Sequence, residues 1–246
     1  MRVSDAAVSL AATGQMSKPV AEFLGSQDRM VDLGDIKRGF TPPQLAVMIM
    51  DRSGSMQPHA DAVIEGHRLL LDGLRGSSKC RRHALYMLQS LFSNTTEQLQ
   101  KFTELAPDGN DTVVKLDHTN YCPNGGTALY QSVFKMLQDM TANLGHNLAQ
   151  NLKTQFYLGV ITDGEDTESG IDPNEIRAVV QDMKSRGHIT KSVICGIASG
   201  NLDYNRFVEI KDRLGFDEAI MVSNSSQEIR KAFNLMSSSI AAAQIQ

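Results

Sequence analysis

Residues 47–56 read Val47-Met48-Ile49-Met50-Asp51-Arg52-Ser53-Gly54-Ser55-Met56, an apolar run that ends on a carboxylate and is followed at once by two hydroxyls. A short continuous apolar run of this kind is the type of strand buried on both faces of a parallel sheet. Its tip presents Asp51, Ser53 and Ser55, three hard oxygen donors in one tight turn. Such a set suits a small hard cation such as Mg2+, which takes oxygens at about 2.1 Å in near-octahedral geometry.

Working outward, the pattern alternates strand and helix. Val63, His67, Leu70, Leu71 and Leu74 recur at spacings of three and four, which predicts a helix over about Pro58–Leu74. His83–Ser93 and Thr96–Leu105 read as two strands around a Ser93-Asn94 hairpin, giving the sheet one antiparallel edge. A loop over Asp117–Gly126 then feeds a long helix whose face is Leu129, Val133, Met136, Leu137, Met140 and Leu144, with Gly145 placed to end or bend it. Phe156–Thr162 is a second doubly buried strand. Asp172-Pro173-Asn174-Glu175 is a helix start, with Asp172 at the N-cap and Pro173 at the first helical position. His188–Ile197 and Ala219–Val222 supply the last strands, with a helix near Tyr204–Leu214 between them; Ser225 and Glu228 open a C-terminal helix.

This order predicts an α/β fold: a doubly wound, mostly parallel sheet with one antiparallel edge strand and helices on both faces. Residues 1–43, of mixed polarity and closed by Pro42-Pro43, read as an N-terminal extension with a short helix at Val20–Leu24, and 44–246 as one domain. Met48, Met50, Met136 and Met140 fall at core spacing and read as packing residues.

Two further segments bear on the strand tip. Asn124-Gly125-Gly126-Thr127 opens the long helix, and Ile161-Thr162-Asp163-Gly164-Glu165 closes the second buried strand. Open α/β sheets form ligand sites outside the carboxyl ends of their strands, so this topology can bring Asp51, Thr127 and Asp163 to one edge. Glycines at 54, 125 and 126 are expected to let the loops turn tightly and approach closely.

Asp-x-Ser-x-Ser at 51–55, Thr127 in a Gly-Gly-Thr-Ala-Leu-Tyr run and Asp163 in Thr-Asp-Gly-Glu together resemble a von Willebrand factor A domain with its metal-ion-dependent adhesion site. The resemblance spans roughly residues 44–240 and includes all five positions of that site, in order. It implies that Ser53, Ser55 and Thr127 supply hydroxyl ligands, with Asp51 and Asp163 acting directly or through water. The implied cofactor is Mg2+, with Mn2+ or Ca2+ as alternatives. The implied partner is another protein that supplies a Glu or Asp side chain to the cation, and cytoplasmic members of the family suggest an adaptor for an AAA+ ATPase or a stress-response complex.

Composition narrows the rest. A net charge of −4, with Lys79, Arg81 and Arg82 as the one short basic run, argues against a nucleic-acid footprint. No stretch approaches the 18 or more apolar residues of a membrane span, and Met1-Arg2-Val3-Ser4-Asp5 lacks the apolar core of a signal peptide. Three cysteines without metal spacing fit reduced thiols, so the expected setting is cytoplasmic, with Cys122 a buried inert thiol. Glu165, Asp166 and Glu168 read as a solvated acidic rim, and His59 and His118 as surface or capping residues. The rival class is a metal-dependent phosphatase-like hydrolase. Against it, Ser53 stands where a phosphoaspartyl enzyme has its acid Asp, and neither a Gly-x-Ser-x-Gly elbow nor a phosphate loop is present, so no catalytic residue is assigned.

Overall fold

The strand that opens the motif, β1 (Gln44–Asp51), is buried at every position in the computed structural model. The structure describes residues 1–37, 42–78, 80–164, 166–198 and 204–242; Lys79 and Glu165, named above, lie outside them. Around β1 are β2 (Leu85–Phe92), β3 (Thr96–Glu104), β4 (Gln155–Thr162), β5 (Ile189–Ala198) and β6 (Glu218–Ser223), in the spatial order β3-β2-β1-β4-β5-β6. Every neighbouring pair is parallel except β2–β3, the expected antiparallel edge. The chain moves outward from β1 in both directions, so the carboxyl ends of β1 and β4 flank the point where strand order reverses, which is where such sheets hold ligands.

Alternation along the strands divides the core. Leu45, Val47 and Ile49 of β1 face one layer, while Ala46, Met48 and Met50 face the other. The second layer is closed by α3 (Ala60–Gly76) and α7 (Ser226–Ala242), which pack on each other through Val63, Leu70, Phe233 and Met236. Gly66 allows that approach, since a Cβ there would fall 2.3 Å from the Phe233 ring. The first layer is closed by α4 (Leu129–Ala149), α5 (Pro173–Ser185) and α6 (Tyr204–Leu214). Asp172 caps α5 as expected, its carboxylate accepting from Asn174 N–H at 2.9 Å.

Three local expectations change. Residues 54–59 form a 3-10 turn containing Pro58 before α3 begins at Ala60, because proline lacks the N–H that an α-helical interior requires. Residues 1–37 hold two helices, α1 (Val3–Ala12) and α2 (Lys18–Ser26), rather than one short helix. Their Val3, Ala7, Leu10, Val20 and Leu24 are buried in the same cluster as α4. Gly145 does not break α4; it lies where α1 crosses, with the Ala6 methyl 3.1 Å from where its Cβ would be.

Candidate metal centre

Asp51 ends β1 fully buried, and each carboxylate oxygen is fixed by a different element. Its Oδ1 accepts from Ser53 N–H at 2.7 Å, which closes the turn, and its Oδ2 accepts from Thr162 Oγ1 at 2.5 Å at the end of β4. Its main-chain carbonyl accepts from the Tyr121 hydroxyl at 2.6 Å. Across the turn, Ser53 Oγ and Ser55 Oγ are 3.0 Å apart, and Ser55 Oγ donates to Asp163 Oδ1 at 2.9 Å. Asp163 follows β4 directly and is 3% exposed, yet its Oδ2 is buried with no hydrogen-bond partner among the described residues. Tertiary structure therefore brings together Asp51, Ser53, Ser55 and Asp163.

Thr127 enters on a loop gripped from two sides. Gly126 N–H donates to Asn94 Oδ1 at 2.5 Å and Ala128 N–H to the Ser93 carbonyl at 2.8 Å, both from the β2–β3 turn. On the other side, Thr127 N–H donates to Thr167 Oγ1 at 3.1 Å while Thr167 N–H returns to the Thr127 carbonyl at 2.8 Å. Thr127 Oγ1 thereby sits over the segment after Asp163, 3.9 Å from where a Cβ on Gly164 would lie. Gly125 earns its place by conformation, with φ +83° and Asn94 Oδ1 2.0 Å from where a Cβ would be. Gly54 does not: its φ is not positive, and a Cβ would stand 3.4 Å from the Gly125 carbonyl, so it serves close approach alone.

Burial decides the electrostatics. Desolvation pushes Asp51 up to about 6, against the pull of its hydrogen bonds from Thr162 and Ser53 and with a further push from Asp163. Desolvation also raises Asp163, offset by Ser55 and nearby His59. Two buried carboxylates with an orphaned oxygen are costly when ionised. A divalent cation among them would remove that cost, and the donor set of carboxylates and hydroxyls is the one hard ions prefer. Among the described residues, no group of three or more His, Cys, Asp or Glu side chains is placed to hold a metal, so a cation here depends on the hydroxyls. The residues present fit a small hard ion and do not fit one that seeks imidazole or thiolate.

Sequence reasoning missed Thr162, Tyr121, Asn94 and Thr167, which hydrogen-bond to the candidate residues or their loops. The one signal for Thr162 was a hydroxyl at the last position of an otherwise apolar strand. Asp166 is not solvated rim: its Oδ1 accepts from Tyr130 N–H at 2.9 Å, at the start of α4, and its Oδ2 from Ser169 N–H at 3.0 Å. His59 is buried rather than on the surface, and it makes no side-chain cap to α3. His118 is exposed, 3.5 Å from Asp61, and Cys122 is exposed, with its thiol donating to the His118 carbonyl at 3.2 Å.

No protein-family model matches the chain, and no curated protein matches it by sequence. Solved structures do match by shape. The PilB minor pilin from Streptococcus sanguinis aligns with a TM-score of 0.57 at 16% identity, covering 83% of this chain and 63% of the pilin. The von Willebrand factor type A protein from Catenulispora acidiphila aligns at 0.52 and 14%, covering 81% of this chain and 43% of that one. The vWF domain of the type V pili tip protein Mfa5 from Porphyromonas gingivalis aligns at 0.52 and 12%, covering 85% of this chain and 98% of that domain. The chain thus spans less than two thirds of the first two proteins, and about all of the third. At these identities the likeness is one of fold alone, and the α/β fold of this chain is similar to that of von Willebrand factor A domains.

Proposed function

We propose that this chain is a metal-dependent protein-interaction module, in which Asp51, Ser53, Ser55, Thr127 and Asp163 hold a divalent cation, Mg2+ or its analogues, that binds an acidic side chain of a partner. The observation that carries the reading is Asp163 Oδ2, buried without a partner beside two serine hydroxyls and a second buried carboxylate. A bound cation would supply a Lewis-acidic position for a carboxylate. The protein's own part is to fix the donors: Thr162 and Ser53 N–H hold the Asp51 carboxylate, and the Thr167–Thr127 pair sets the height of the Thr127 hydroxyl. Isothermal titration with Mg2+ tests the site; uptake by the protein and none by Asp51→Ala supports it, and equal uptake by both refutes it.

The reading is of binding, not hydrolysis. Asp51 is locked by hydrogen bonds on both oxygens and Ser53 is 1% exposed, which is poor placement for a nucleophile. Release of phosphate from a generic aryl phosphate, lost in Asp51→Ala, would overturn it. For the partner, an adaptor role toward an ATP-driven AAA+ machine follows from the sequence resemblance. A pilus-type adhesive role is favoured by the likeness to a minor pilin and a pilus tip protein. Among the described residues no helix is long and apolar enough to cross a membrane. Affinity capture with and without EDTA, read by mass spectrometry, separates the two: an EDTA-sensitive ATPase supports the first, an EDTA-sensitive surface protein the second, and an EDTA-insensitive set neither.

A further inference from the structure

Among the described residues, the loop after β4 contains one acidic side chain that the fold does not use. Asp166 caps α4, Thr167 is locked to Thr127, and Ser169 donates to Asp166 and accepts from Gln131 N–H. Glu168 lies among them, exposed, with no hydrogen bond or ion pair among the described residues. Its carboxyl group is nevertheless packed on the main chain next to a metal-donor residue: a Cβ on Gly126 would fall 2.7 Å from Glu168 Oε1 and 3.1 Å from its Cδ. Gly126 precedes Thr127, so an unpartnered carboxylate is held beside the same edge that carries the two buried ones. Without a cation, a third negative charge there is repelled; with a divalent cation in place the repulsion becomes attraction.

We infer that Glu168 is the chain's own occupant of the coordination position that a partner's carboxylate must take, so that partner binding is a competition between two carboxylates. This rests on the metal reading above. A competitor of this kind lowers the apparent affinity for the partner by the fraction of time it leaves the position open. Because Glu168 is exposed and its neighbours are fixed by their own bonds, it can leave the position without disturbing Thr127. A glycine at 126 is required for its approach, which ties the tight Gly125-Gly126 turn to the competitor as well as to Thr127.

The test uses the full chain with Mn2+ as the cation and acetate as the carboxylate probe. Water-proton relaxivity of the Mn2+ complex reports the number of exchangeable waters on the ion. The intact protein should take up Mn2+ and Asp51→Ala should not. Glu168→Gln should keep Mn2+ and gain the relaxivity of one added water, and acetate should bind it about fivefold or more tighter than the intact protein. Glu168→Asp, shorter by one methylene, should also gain the water. Equal relaxivity and equal acetate affinity in the intact protein and Glu168→Gln, both holding Mn2+, would overturn the inference while leaving the metal site standing. Failure of the intact protein to take up Mn2+ would remove the metal reading and this inference with it.

Discussion

Ser55 Oγ donates to Asp163 Oδ1 at 2.9 Å across 108 residues of sequence, and the other oxygen of the same carboxylate has no hydrogen-bond partner among the described residues. One half of Asp163 is thus used by the fold, and the other half is buried for something the polypeptide does not provide. Asp163→Asn replaces the charge with a neutral amide of the same shape. In EDTA it should raise stability by about 1–2 kcal/mol, since the cost of a buried, incompletely paired charge is relieved, a rise of several degrees in the melting midpoint for a chain of this size. In saturating Mg2+ the order should reverse, because ligand at a hundred times its Kd adds about 2.7 kcal/mol to the intact protein alone. Thermal melts of both proteins with EDTA and with Mg2+ check this, and a variant less stable than the parent in both conditions would contradict it.

His67 faces the core from α3 and is 1% exposed. Leu116 N–H donates to its Nδ1 at 3.3 Å, so the ring proton resides on Nε2 and is given to Gln89 Oε1; Gln89 in turn donates to the Val114 carbonyl at 3.0 Å. Desolvation pushes this imidazole down to about 4. The unfolded chain therefore binds a proton that the folded one refuses between about pH 6.5 and 4, and stability is whole above 6.5 and lost as pH falls through that window. The loss should reach about 3 kcal/mol. Urea unfolding at pH 7.0 and 4.5 should show it, and His67→Gln should be less stable at pH 7.0 with a flatter profile.

Arg29 reaches from the segment after α2 to Asp139 on α4, with 2.5 Å between guanidinium and carboxylate, and also donates to Gln138 and to the Lys135 carbonyl. Asp139 is 1% exposed, and burial pushes it up to about 6 against the pull of Arg29. Arg29→Met leaves a buried carboxyl without its cation and should cost about 3 kcal/mol. Its folded-state value then rises further above the unfolded one, so the variant should lose more stability at pH 8 than at pH 5. The double variant Arg29→Met, Asp139→Leu should recover most of the loss. Chemical denaturation of the three proteins at both pH values decides it; a double variant as unstable as the single one would count against the pairing.

Gly125 combines φ +83° with Asn94 Oδ1 2.0 Å from where a Cβ would be. Gly125→Ala should destabilise by about 1–3 kcal/mol through backbone strain and weaken Mg2+ uptake by displacing the Thr127 loop. Gly54→Ala meets only the Gly125 carbonyl at 3.4 Å and should cost less than Gly125→Ala on both measures. Calorimetric titration beside thermal melts of the two variants provides the comparison.

Most of the sheet was legible because its signals are local. Eight buried residues in β1, the Ser93-Asn94 turn and the Asp172-Pro173 cap each announce their element within a few positions, and strand–helix alternation then restricts the topology. The five residues proposed as donors could be named for the same reason, as each sits in a short pattern at an element boundary. Which contacts hold those donors was not. Thr162 on Asp51, Asn94 under Gly126 and Asp166 on Tyr130 join residues 111, 32 and 36 positions apart, and nothing in either local pattern names its partner.

The N-terminal helices show the same division. Their small and aliphatic residues look unremarkable alone, and they become core only because α4 presents Gly145 for α1 to cross and a polar face, Gln138, Asp139 and Asn143, for the following segment to hydrogen-bond. The amino-acid order by itself determined the strands, the helices from α4 onward and the oxygen-bearing tips, since those follow from propensity and periodicity. Only the assembled molecule decided that one oxygen of Asp163 would be buried unpaired and that Glu168 would rest on Gly126, because burial and close approach are properties of surfaces brought together, not of any stretch of chain.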